Sequence, residues 1–318
     1  MRITIPENEE LFGKGASCLD SFRFMQLWLT IATKDFTSKY PPGQAYDIDC
    51  MEANFICEII KNLNSLYLVC VQNYDFQAGA VFCRSIADKV AVLKLIYANL
   101  NESERTYRYY LYLLDGMRER DTMLKDPMEY NGRISQTEYN ALLSQISQAK
   151  QNTHESIEFC TTNLDSHPYA EQYPIFHESV LKDAVWQYKE LGVLGKKGKP
   201  SKYKWEDLYA LIDNRPSVVS MYSRFLSQFA HGLSIGSLPA QDCNDNFDSL
   251  LCVAVCLQGV ILEELKSRFH IKETIFNNIT QEEISAILSF YSDTHINNLY
   301  SRMTELYKDQ INDNEEEV

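Results

Sequence analysis

From Asp47 to about Val71, apolar residues recur every three or four positions: Ile48, Met51, Phe55, Ile59, Leu63, Leu66 and Cys70. That spacing draws one oily stripe along a helix and does not fit a strand, whose faces alternate every second residue. The same period returns elsewhere. Residues 19–34 carry Phe22, Met25, Leu27, Trp28 and Ile31. Residues 75–99 are nearly all apolar, with Phe76, Val81, Phe82, Ile86, Val90, Leu93, Leu95 and Ile96, and read as a central buried helix. Residues 245–269 read as another, with Gly259 a point where a second helix could approach closely. No alternating stretch of useful length, internal repeat or glycine-rich dinucleotide turn competes with this pattern. The chain is therefore expected to be all-α, a mainly antiparallel multi-helix bundle.

Start and stop signals refine the reading. Asn101 followed by Glu104, and Ser135 followed by Glu138, have the capping-box spacing that opens helices over about 101–123 and 135–164. The first is rich in Tyr107, Tyr109, Tyr110 and Tyr112, read as packing residues rather than a stacking platform for bases. The second is polar around Gln145, Gln148, Lys150 and Gln151, which predicts an exposed hairpin arm. A short helix is expected over 178–191, and Thr280 with Glu283 opens a further one before a last helix over 292–311. Residues 1–17 read as an irregular arm, 39–47 (KYPPGQAYD) as a loop, and the final DNEEEV as an acidic disordered tail. The expected organisation is an arm and first helix over 1–45, a core over 46–270 with the 135–165 arm, C-terminal helices over 271–311, and a tail over 312–318.

The stretch PSVVSMYSRFLSQFAHGLSIG, 216–236, carries the chemistry. Asn214 is placed to cap it, Pro216 suits a first turn, and Gly232 suits a stop. In a regular helix Ser220, Arg224, Ser227 and His231 make one polar stripe on an otherwise apolar surface. Buried polar groups must find partners or do chemistry. In one reading Arg224 pairs with a carboxylate, His231 is bonded in the core and the serines bond back to their own turn. In the other, Arg224 holds a phosphate through its planar fork while His231 moves a proton. That pair suffices for RNA cleavage without metal or cofactor, in which a 2′-hydroxyl attacks the adjacent phosphorus. Arg84, one turn before Asp88, either closes an internal salt bridge or adds a second charge directed at the same phosphate. Ser220 and Ser227 would complete the substrate contacts.

Arg, six intervening residues, His and then Gly at 224–232 resembles the motif of HEPN domains. Trp205, LSQFAHG at 226–232 and RSIADKVAVLKLIY at 84–97 are similar to an uncharacterised bacterial helical family related to them, over roughly residues 50–270. The resemblance implies a HEPN-like core with extra helices. It also implies a metal-independent endoribonuclease acting as a homodimer, often in a toxin or anti-phage defence system. Its alternative is a non-catalytic helical module that binds a nucleotide, an RNA or a partner protein. One position departs from the pattern: Phe225 follows the arginine where active members of the family usually carry a polar residue.

A formal charge of −14 argues against a general nucleic-acid coat, because counterion release needs a basic surface. The one basic cluster is the glycine-containing run LGVLGKKGKPSKYKW, where Lys196, Lys197 and Lys199 precede Lys202 and Lys204. It reads as a solvated loop or as an element that steers a nucleic acid. Nine cysteines without a CxxC pair read mostly as small core residues in a reducing compartment, and Cys252 and Cys256 share a helix face. His167 and His177, ten residues apart across Pro174, give only a weak metal motif, and no metal is expected. No signal-peptide core or membrane span is read, so the expected location is the cytoplasm.

Overall fold

A computed structural model describes residues 17–41, 47–98, 101–124, 129–230 and 244–269. The fold is all-α, and the described residues contain no strand beyond an isolated bridge between Tyr188 and Lys202. Two compact units arise, Met1–Lys94 with Leu208–Val318, and Leu95–Asp207.

The first unit is built on α1 (Cys18–Lys39), α2 (Ile48–Tyr67), α3 (Phe76–Val92) and, in sequence order, the last described helix, Asn244–Arg268. Asp47 caps α2 by accepting from the Cys50 amide, and Asp75 does the same for α3 at Ala78. Both α2 and α3 end in a π-helical turn, Leu68–Gln72 after α2 and Leu93–Tyr97 after α3. The expected stripes face inward over most of their length: Phe22, Leu27, Trp28, Ile31, Ile59, Leu63, Leu66, Cys70, Ile86, Val90 and Leu93 are buried, whereas Ile48, Met51 and Phe55 at the start of α2 are half-buried and Val81 is exposed. An amide ladder sets the register between helices. The Gln26 amide donates to the Ile60 carbonyl and the Asn64 side chain, while the Gln258 amide donates to Gln26 and to the Phe22 carbonyl. At the other end of the same bundle Arg268 reaches Asp49 at 2.9 Å and the fully buried Glu52 at 3.3 Å.

Among the described residues the close helix approach lies at Gly79. A Cβ on Gly79 would collide with Cys70 Sγ and sit 3.2 Å from a Leu250 methyl, whereas no described residue lies within 4 Å of the same position on Gly259. The cysteine expectation also needs one correction. Cys50, Cys70, Cys83 and Cys160 are buried thiols, but Cys18 and Cys252, 234 positions apart in sequence, form a disulfide with Cα atoms 5.5 Å apart. Short-range spacing carries no trace of such a pair.

The second unit contains α4 (Glu102–Met123), α5 (Gln136–Asp165), α6 (Pro168–Gln172) and α7 (Pro174–Lys182). Asn101 caps α4 through the Glu104 amide, and Ser135 and Glu138 close the full capping box of α5. Helices α4 and α5 pack against each other, and most of residues 136–152 of α5 are exposed, as an arm requires. Tyr107, Tyr109 and Tyr110 are buried, in keeping with a packing role. The short helix expected over 178–191 instead starts at Pro174 and stops at Lys182, because Ala184 takes a left-handed conformation (φ 46°) that breaks the helical path. Beyond it, residues 187–203 double back. Lys189 N–H donates to the Ser201 carbonyl and Tyr203 N–H to the Gln187 carbonyl, both at 2.8 Å.

Helix α8 (Trp205–Ile212) follows, then α9 (Pro216–Ser220), a π-helical turn Met221–Phe225, α10 (Leu226–Ala230) and α11 (Asn244–Arg268). Asn214 falls one residue short of the cap: Arg215 holds that position without a side-chain bond and is itself paired with Asp213 at 2.5 Å. Helix α10 packs on α3, and α11 on α1 and α3. No helix among the described residues is long and apolar enough to cross a membrane. The expected N-terminal arm, most of the 39–47 loop, His231 with Gly232, the helices from Thr280 onward and the acidic tail lie outside the described residues.

Candidate functional site

Arg84 projects from α3 with 15% of its side chain exposed and meets three groups. Its Nε lies 3.1 Å from Asp88 Oδ1, its guanidinium carbon sits 4.8 Å from the centre of the Tyr209 ring, and one terminal nitrogen donates to the Tyr222 backbone carbonyl. Tyr209 Oη in turn donates to Asp88. Burial pushes the Asp88 carboxyl up, while the Tyr209 hydroxyl and Arg84 pull it down less strongly. Burial, then the bond to Asp88, drives the Tyr209 hydroxyl well above its usual range. The internal salt bridge with Asp88, one of the two readings open for Arg84, is formed.

The carbonyl it reaches belongs to a turn of unusual form. In the π-helical turn the Leu226 amide bonds to the Met221 carbonyl, five residues back, instead of to Tyr222. The Tyr222 carbonyl takes the Arg84 guanidinium. The extra residue also breaks the expected polar stripe. Ser220 and Ser227, seven positions apart across the turn, are rotated from a common face by roughly 100°, the angle of one residue in a helix. Both are half-buried. Arg224, inside the turn, is exposed and has no ion pair or hydrogen bond among the described residues. Tyr222, Leu226 and Phe229 carry the buried side of this segment, and Phe229 packs edge-on against Phe76 at 5.3 Å. The structure therefore joins Arg84 to the backbone beside Arg224 and presents Arg224 to solvent, while His231 lies outside the described residues.

Sequence reasoning missed Tyr209 and the Tyr222 carbonyl. Tyr209 sits on α8, a helix whose apolar Trp205, Leu208, Tyr209 and Ile212 have helical spacing that the basic run before it obscured. A π-helical turn has no comparable compositional signal.

In the second unit Arg108 is buried and fully engaged. It donates to Glu104 at 2.7 and 3.0 Å, to the Trp186 carbonyl at 3.1 Å and to the Tyr188 carbonyl at 2.8 Å, and stacks 3.7 Å from the Tyr188 ring centre. The two histidines of the weak metal motif have other partners. His177 bonds the Tyr107 hydroxyl through Nδ1 at 2.9 Å and Asp165 through Nε2 at 3.0 Å, and His167 caps α6, its Nδ1 accepting from the Tyr169 amide at 3.2 Å. Among the described residues no three His, Cys, Asp or Glu side chains are grouped to hold a metal. Lys196 and Lys197 are exposed, and Lys199 pairs with Asp183 at 3.1 Å.

No family model, curated protein or solved structure matches this chain.

Proposed function

We propose that this chain is a metal-independent endoribonuclease of HEPN type, with Arg224 as the phosphate-holding group and His231 as the proton carrier. One observation supports the reading: Arg224 is an exposed guanidinium, unpaired among the described residues, on a turn whose backbone Arg84 braces. An arginine so placed keeps its planar fork for an incoming phosphate. In the reaction, the ribose 2′-oxygen forms a bond to the adjacent phosphorus as the bond to the 5′-oxygen breaks. The proton leaving the 2′-hydroxyl is taken by a base and one is delivered to the departing 5′-oxygen, leaving a cyclic 2′,3′-phosphate and a 5′-hydroxyl. Arg224 steadies the charge that builds on the phosphate oxygens. The same reading carries a homodimer, which light scattering on the eluted protein checks.

The engagement of Arg84 favours a second reading. With Arg84 tied to Asp88 and Tyr222, Arg224 has no second described cation on its turn, which suits a non-catalytic helical module that binds a nucleotide, an RNA or a partner protein. A single assay separates the two. Purified protein is incubated with RNA in EDTA. The nuclease reading expects cleavage that Arg224→Ala and His231→Ala each reduce by about 100-fold or more, with an unchanged melting temperature. Intact RNA with the parent protein leaves the binding module.

A further inference from the structure

We propose that the doubled-back segment 187–204, together with Trp205, is a docking surface for single-stranded nucleic acid, with Lys196, Lys197, Lys202 and Lys204 on phosphates and the Trp205 indole stacked on a base. The inference goes beyond the nuclease reading and holds whether or not Arg224 and His231 cleave.

Charge is the first support. Residues 182–204 hold seven lysines against two carboxylates, Asp183 and Glu190, in a chain whose formal charge is −14. Acidic chains do not gather cations into one segment by composition alone, and a polyanion is the partner such a patch attracts. Two of the lysines serve the fold: Lys199 pairs with Asp183 at 3.1 Å, and Lys189 with Asp207 at 2.9 Å. Lys196, Lys197, Lys202 and Lys204 are exposed and lie in no ion pair among the described residues.

Order is the second support. A solvated lysine loop has no need of internal bonds, yet this one is closed at its base by the 2.8 Å bonds of Lys189 to Ser201 and Tyr203 to Gln187. At its tip Gly195 N–H donates to the Lys199 carbonyl at 2.8 Å and Gly198 N–H to the Gly195 carbonyl at 3.0 Å. Gly198 sits at φ 67°, which a side chain would strain. Arg108 fixes the carbonyls of Trp186 and Tyr188 from beneath. Cations on a braced segment lose less freedom on binding than cations on a mobile one.

The aromatic neighbour selects the partner. Trp205, directly after Lys204, is 41% exposed at the start of α8. An acidic protein would match the lysines, but an exposed indole beside them is the element that stacks an unpaired base.

The test is fluorescence anisotropy with a labelled oligouridylate of about a dozen nucleotides, within the range single-strand sites cover. Replacing Lys196, Lys197, Lys202 and Lys204 together by Gln should weaken binding at least about tenfold and flatten the dependence of log K on log salt by about 0.7 for each phosphate no longer neutralised. Trp205→Ala should weaken it about tenfold and Trp205→Tyr restore it. Cleavage of the same oligonucleotide is followed on a gel beside the anisotropy, so loss of cleavage and loss of docking are read separately. With circular dichroism confirming the fold of each variant, parent-like affinity in the four-lysine variant overturns the proposal. So does a neutral Trp205→Ala with polyglutamate competing as well as the oligonucleotide, which assigns the patch to an acidic protein.

Discussion

Arg84 donates to the backbone carbonyl of Tyr222, 138 residues further along the chain. The two are linked by a local defect: the π-helical turn takes the Leu226 amide away from that carbonyl, and a side chain from α3 supplies the donor. A cation that the sequence leaves open between an internal salt bridge and a phosphate contact thereby braces the segment that exposes Arg224.

Arg84→Met should destabilise the protein by about 1–3 kcal/mol, because the Tyr222 carbonyl and the half-buried Asp88 both lose a charged donor. Tyr209→Phe removes only the hydroxyl on Asp88 and should cost less, about 1 kcal/mol. Urea midpoints at constant m-value measure both.

Arg108→Ala should be more severe, about 3–5 kcal/mol, since it strands Glu104 and two backbone carbonyls in a buried setting. Arg108→Lys should recover little of this, because one ammonium cannot span Glu104 and both carbonyls as the guanidinium fork does. Equal stability of the lysine variant and the parent would show that the fork is dispensable.

Gly79→Ala would ordinarily help a helix by up to about 1 kcal/mol. Here the added methyl meets Cys70 Sγ, so the substitution should destabilise by about 1–3 kcal/mol. Cys70→Ala in the same chain removes the sulfur that blocks the methyl and should restore most of the loss. A double-mutant cycle measured by thermal melts reads the coupling directly.

Acidification should weaken the second unit through His167. Burial, the leading cause, holds its pKa below the ordinary value of 6.5, with the charge of His177 adding to this and a bond to the Ser103 backbone opposing it. A depressed folded-state pKa means that the stability it contributes is complete above 6.5 and is lost as pH falls through the folded value. The geometry agrees, for a protonated Nδ1 cannot accept the Tyr169 amide. His167→Asn keeps a capping acceptor that does not titrate, so its urea midpoint should vary less than the parent's between neutral pH and about pH 5.

The helices were legible because their causes are local. Asn101 and Ser135 announced α4 and α5 through their own side-chain bonds, and the inward stripe of α2 followed from its three-and-four spacing. The site was legible only in its raw materials. Arg84 and Asp88 were visible as an i, i+4 pair, but the carbonyl that completes the arrangement exists because a turn changes its bonding period. Such a change depends on packing around Tyr222 and Tyr209, not on residue type. Ala184 illustrates the same limit: alanine favours helix, yet it stands at φ 46°, where the Val185 amide bonds back to the Val180 carbonyl and α7 has ended.

The bond between Cys18 and Cys252 turns most of the polypeptide into a covalent ring with two tails. Without reductant the denatured chain is a tethered coil, smaller than a free one of equal length, and the start of α1 and the first half of α11 never have to search for one another. By loop-closure entropy a ring of this span is worth about 5 kcal/mol to the native state. The amide ladder from Gln26 to Gln258 can then act as a fine adjustment on helices whose meeting the sulfur bridge has already secured.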